Sequence, residues 1–213
     1  MDAHVRDAFS VLLTEAVQLA AVTYHGHMIG CIENPSEQVQ LAAVRHWGWA
    51  LQYINDPSEE VQLAAVKQNG TTIRCIKNPS EEIQLVAVTK KGDAIMWIKD
   101  PSEAVKLAAA RQNKYVIEYI KDPSEAVKLA TVMQDGWLIR DIKNPSEEVQ
   151  IAAVTNCGWV IRDIKNPSEA VKLAAVRQYG GVIQLIKNPS EEVQLAAVTQ
   201  RINIYFYVVN LSW

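Results

Sequence analysis

One arrangement of apolar positions recurs along nearly the whole chain. In residues 37–54, Val39, Leu41, Ala42, Ala43 and Val44 are followed by a polar break, Gly48, and then Leu51 and Ile54. The same arrangement returns every 22 residues. Its period is marked by Pro35, Pro57, Pro79, Pro101, Pro123, Pro145, Pro167 and Pro189, which are all the prolines in the sequence. A fixed period of this size predicts a stack of small units, a solenoid. An earlier unit lacks the proline: Thr14 to Val22 aligns with Ser36 to Val44, and Leu13 stands at the proline position. That makes nine units.

Within a unit the pattern predicts helix, glycine turn, short helix and Asn/Asp-Pro turn. On a helix from Pro35 to about His46, Val39, Ala42 and Ala43 share one side, while Leu41 and Val44 face roughly the other. Two apolar stripes suit a helix pressed between neighbours on both flanks. Asn34 and its counterparts Asp56, Asn78, Asp100, Asp122, Asn144, Asn166 and Asn188 are always Asn or Asp. They read as N-caps, with proline at the first helical position and Glu37 at the third. Gly48 reads as a left-handed helix stop, matched by Gly26, Gly70, Gly92, Gly136, Gly158 and Gly180. Lys114 and Ile202 interrupt that column, so the turn there is expected to be strained or rebuilt. A second helix over about residues 49–54, anchored by Leu51 and Ile54, is short enough to be partly 3₁₀.

The ends differ. Residues 1–13 carry Val5, Phe9 and Leu12 or Leu13 at helical spacing, which predicts a capping helix. Residues 201–213 are far more apolar and aromatic, and fit either a modified second helix or an alternating strand. They are expected to bury the end of the array against its own stack or a second copy, in a homodimer. The expected fold is therefore an all-α, right-handed α-solenoid in a single domain over residues 1–213, with repeats over 14–200.

Composition narrows the classes. The chain is 49% hydrophobic and 21% charged, a globular balance, and its net charge of −3 is not that of a nucleic-acid binder. Cys31, Cys75 and Cys157 are too dispersed for a disulfide framework. No leader segment and no apolar run of membrane-spanning length is read in the sequence, so a cytoplasmic protein is expected.

The phrase Val-x-Leu-Ala-Ala-Val-x-Gln-x-Gly-x-x-Ile-x-x-Ile, as in residues 61–76 and 171–186, resembles a domain-of-unknown-function family of short two-helix repeats. Such repeats occur in phage, bacterial and protist proteins. The Asn/Asp-Pro opening is also similar to HEAT-like and variant leucine-rich solenoids. The resemblance implies a helical solenoid and, as such families mostly do, macromolecular binding. A phage or mobile-element inhibitor or decoy that sequesters a host defence enzyme is the alternative it suggests.

Function is sought where repeats differ from one another. The Trp47, Trp49, Gln52 and Tyr53 columns vary freely and supply the candidate partner-binding set: Trp49, Tyr53, Trp97, Tyr115, Tyr119, Trp137, Arg140, Asp141, Trp159, Arg162 and Asp163. Aromatics beside arginines are the residue types of protein-binding hot spots. The competing reading is that these rings fill grooves between short helices. A lysine ladder, Lys77, Lys99, Lys121, Lys143, Lys165 and Lys187, could follow a phosphate backbone. The better reading is cations at helix C-termini, with a glutamate ladder four residues on. His25, His27, Cys31 and His46 match no metal-ligand spacing. No phosphate loop, nucleophile pair or carboxylate dyad is legible. The expectation is thus a non-catalytic scaffold with a protein partner, no metal and no cofactor.

Overall fold

A computed structural model describes the backbone over residues 14–210 and the side chains over residues 14–202. The expected capping helix of residues 1–13 lies outside these residues. Among the described residues, nine α-helices alternate with eight 3₁₀ helices. They are α1 (Glu15–Tyr24), η1 (Gly26–Cys31), α2 (Glu37–His46), η2 (Gly48–Tyr53), α3 (Glu59–Gln68), η3 (Gly70–Cys75), α4 (Glu81–Lys90), η4 (Gly92–Trp97) and α5 (Glu103–Gln112). Then follow η5 (Lys114–Tyr119), α6 (Glu125–Gln134), η6 (Gly136–Asp141), α7 (Glu147–Asn156), η7 (Gly158–Asp163), α8 (Glu169–Gln178), η8 (Gly180–Leu185) and α9 (Glu191–Asn210). Contacts gather the chain into two compact units that divide after Asn113.

Each unit is a helical solenoid. In the first, α1 to α5 pack side by side in sequence order, and η1 to η4 form a parallel row. In the second, α6 to α9 and η5 to η8 do the same. Val39, Ala43 and Val44 of α2 are buried, as are Ala50 and Leu51 of η2 and Ile54 beyond it, with Leu41 and Ala42 half-buried against them. The corresponding residues form the core of the other internal repeats. Among the described residues two polar side chains are buried and are satisfied locally: the Thr72 hydroxyl donates to Asn69 O (2.8 Å) and that of Thr131 to Val127 O (2.9 Å).

The helix start differs from expectation. The N-cap is the serine after the proline, not the Asn or Asp before it, and the α-helix begins at the glutamate. Ser36 Oγ accepts from Val39 N, as Ser58, Ser80, Ser102 and their successors do in their repeats. The Asn/Asp column does another task. Asn34, Asp56, Asp100, Asp122, Asn144, Asn166 and Asn188 have φ between 45° and 50°. Among residues with a Cβ, Asn and Asp enter that region most readily, which explains why Ser and Thr, equally good caps, do not occur there.

The serine has a second role. Its hydroxyl donates to the first-turn glutamate of the preceding repeat: Ser36 to Glu15, Ser58 to Glu37, Ser102 to Glu81, Ser168 to Glu147 and Ser190 to Glu169. The glutamates thus form a ladder with serines, not with the lysines that precede each cap. Replacing Ser58 by Ala removes both the cap of α3 and the bond to Glu37. Thermal unfolding should show a loss of about 1–2 kcal/mol, with Ser58→Thr retaining most of it.

The glycine column also works differently. No glycine has positive φ. Helices α2 to α8 instead end on an extended residue such as Trp47 (φ −143°, ψ 99°), whose N–H still reaches Ala43 O. The glycine then opens the 3₁₀ helix and lies directly on the next repeat. A Cβ at Gly48 would stand 2.8 Å from Ala65 O, and one at Gly92 2.8 Å from Ala109 O. The Gly48 amide donates to Gln68 Oε1 (2.9 Å), and Gly92, Gly136, Gly158 and Gly180 donate to Gln112, Asn156, Gln178 and Gln200 in the same way. The column is glycine because backbone meets backbone there, not because the turn is left-handed.

The two interruptions resolve separately. At Lys114 the 3₁₀ helix still forms, but its closing bond, Ile120 N to Ile117 O, is 3.4 Å, against 2.9–3.2 Å elsewhere. At Ile202 the turn is abolished: α9 runs unbroken for 20 residues to Asn210, which settles residues 201–210 as helix rather than strand. Among the described residues no helix is long and apolar enough to cross a membrane.

Candidate functional site

The variable columns fall on the 3₁₀ helices, at their second, fifth and sixth positions, with the Trp47 column just before the glycine. The third and fourth positions, Ala50 and Leu51 in η2, face the core and fix the rotation of the helix. The sequence therefore presents variable residues on the 3₁₀ row and leaves constant ones inside.

In the first unit, Trp49 is half-buried, with the Arg74 guanidinium 4.3 Å from its ring centroid. Tyr53 and Trp97 are exposed. Tyr53 lies 6.2 Å from Trp47, whose other neighbour is the His27 ring at 6.3 Å, edge-on. His25 and His27 are 5.6 Å apart, and no group of three metal-binding side chains occurs among the described residues. Partial burial pushes the Cys75 thiol up from its ordinary range, by more than the adjacent Arg74 draws it down.

The second unit is richer. Trp137 is half-buried and has two guanidiniums near its ring, Arg140 at 4.4 Å and Arg162 at 4.9 Å from the centroid. Arg140 Nε donates to Asp163 Oδ2 (2.9 Å), and Arg162 Nε lies 3.8 Å from the same oxygen. One carboxylate from η7 thereby fixes both arginines against an indole from η6. Trp159, 37% exposed, lies 5.5 Å from the Tyr179 ring at 30°. Tyr115, Tyr119 and Asp141 are exposed on the same row.

Below this surface, Lys114 Nζ donates to Asp135 Oδ2 at 2.7 Å and lies 5.1 Å from the Tyr115 ring centroid. The Lys114 bond, helped by the Trp137 amide, holds the Asp135 carboxyl below its ordinary range. Its pKa is depressed on folding, so its contribution to stability is present above the ordinary carboxylate range and lost as pH falls through the depressed value. The same bond raises Lys114. Glu125 is likewise lowered, first by Lys128 and then by Ser146.

Of the eleven residues singled out from sequence, the structure brings Trp137, Arg140, Arg162 and Asp163 into one cluster and places Trp159 on the same row. Trp49, Tyr53 and Trp97 belong to the first unit. Arg74, Tyr179 and the Lys114–Asp135 pair are not among those eleven, although Arg74 shares the Gln52 column with Arg140 and Arg162. For Arg74, Tyr179 and Asp135 the variability of their columns was the available signal, and for Lys114 the break it makes in the glycine column. Their pairings connect successive repeats, some 20–25 positions apart, and become evident only when adjacent units are laid side by side. Comparison with protein-family models, curated proteins and solved structures finds no match.

Proposed function

We propose that the chain is a non-catalytic repeat scaffold that binds another protein through its 3₁₀ row, with Trp137, Arg140, Trp159, Arg162 and Asp163 at the centre. The observation that carries this reading is the double arginine packing on Trp137, pinned by Asp163. Arginine and tryptophan side chains are the commonest binding anchors when held in place. Stacking and the shared carboxylate restrict these long side chains before any partner arrives, so less ordering entropy is lost on association. The remaining guanidinium edges and the open part of Trp159 supply directional and apolar contact together.

The experiment is affinity capture from a native-host lysate with mass spectrometry, followed by titration of the captured protein. Trp137→Ala combined with Trp159→Ala should weaken binding by 30-fold or more. The helical signal and its cooperative melt should persist. If the double change melts the chain, the half-buried Trp137 belongs to the core, and unchanged binding by the single Trp159 variant overturns the reading. Trp159→Ala alone, at the more exposed site, then gives the decisive binding measurement.

A further inference from the structure

A groove recurs between the end of one 3₁₀ helix, its Asn/Asp-Pro turn and the 3₁₀ end of the following repeat. Four examples differ in charge. One in the first unit is lined by Glu33 with no cation, and the next by Asp56 and Lys77. In the second unit, the groove at Pro123 sets Lys121, Lys128 and Lys143 against Glu118, Asp122 and Asp141. The groove at Pro167 is lined by Arg162, Lys172 and Lys187, and by no carboxylate. The sequence makes this difference in three columns. Asn166 replaces the Asp of the Pro123 groove, Leu185 stands where that groove has Asp141, and Arg162 stands where it has Glu118. Ile164 and Ile186 close the apolar floor and are buried.

The three cations are held differently. Lys172 pairs with Glu169 on its own helix at 3.5 Å. Arg162 is steered by Trp137 and Asp163. Lys187 is exposed and makes no ion pair among the described residues. A site with two outward cations beside Leu185 suits an anion carried next to an aliphatic group. We infer that this groove receives an acidic segment of a protein partner, an Asp or Glu carboxylate meeting Arg162 and Lys187 while a neighbouring aliphatic side chain rests on Leu185. The inference rests on the protein-binding reading above and names what the partner presents.

The test uses the full chain and the blocked peptide Glu-Leu-Glu-Glu-Leu-Glu, followed by amide chemical shifts. The expected result is saturable shifts within residues 162–187, weakened about 10-fold by Lys172→Gln with Lys187→Asn and strongly reduced at 0.5 M salt. Both replacements are residues that these columns already hold at Gln62 and Asn55, so the fold is kept. Equal binding of the Gln-Leu-Gln-Gln-Leu-Gln peptide overturns the inference, as does indifference to the lysine changes. So does saturable binding of inorganic phosphate or of oligo(dT) at these residues without a response to the acidic peptide. The captured partner separates the two levels. If it is lost with Trp137→Ala and Trp159→Ala but indifferent to the lysine changes, the acidic segment is wrong and the binding face stands. If neither set weakens it, both fail.

Discussion

Gly70→Ala should lower stability by about 3 kcal/mol, a fall of roughly 6–12 °C in melting temperature for a chain of this size. A Cβ at residue 70 would fall within 3.0 Å of the Ala87 carbonyl oxygen, and 3.2 Å from Lys90 Cβ. That oxygen belongs to the backbone of α4, so it can move only if α4 moves. The closing bond of η3, Ile76 N to Ile73 O, is 2.9 Å, the shortest of its series, so the turn has little slack. Lys114 shows what relief looks like, since its own closing bond is 3.4 Å. Without the clash the change would stabilise by about 0.4–1 kcal/mol, because alanine restricts the unfolded chain. The sign of the effect therefore decides the matter. Gly30→Ala is the control. Its Cβ would meet only the Tyr53 side chain, at 3.2 Å and beyond, and the expected change is small. A neutral or stabilising Gly70→Ala would remove the packing explanation for the glycine column.

The repeat, its period and the order of its elements were legible because the apolar spacing restates itself nine times and the proline and serine-glutamate positions eight times. The local chemistry was less so. Asn-Pro-Ser-Glu contains two good caps in succession, and propensity alone does not choose between Asn34 and Ser36. The backbone chose serine, since its hydroxyl also bonds Glu15 of the neighbouring repeat, a contact 21 residues away. Glycine after a helix usually signals a left-handed turn. Here the demand came from the Ala65 carbonyl of the next unit, which no local pattern displays. A short second helix over about 49–54, partly 3₁₀, was legible from its shortness and two aliphatic anchors, whereas η2 is 3₁₀ throughout Gly48–Tyr53 and Ile54 lies just beyond it.

The site divides along the same line. Variable columns identified Trp137, Arg140, Arg162 and Asp163 as residue types, since freedom between repeats separates surface from scaffold. That Arg140 reaches forward to Asp163, and that both arginines choose Trp137, depends on adjacent 3₁₀ helices lying parallel in the row. Tyr179 was hidden because its column precedes the glycine, where Asn69 and Asp135 serve instead as local caps through Thr71 N and Trp137 N. The lysine ladder carried a plausible pairing with glutamates. The serines hold those glutamates, and at Pro167 the ladder lysine joins a groove with no carboxylate in its wall.

Each 22-residue unit in this account stands because neighbours cover both of its apolar flanks, so whole units are interchangeable and fractions of a unit are not. The most direct measurement compares thermal unfolding, by circular dichroism, of two shortened chains. Excising residues 58–79 joins Pro57 to Ser80 and restores the repeat junction. Excising residues 58–68 removes α3 and leaves η3 without its helix. The first should keep its helical signal per residue and melt cooperatively, a few degrees below the parent. The second should lose cooperative melting of the first unit, although fewer residues are missing. Equal behaviour of the two chains, or collapse of the first, would contradict the account.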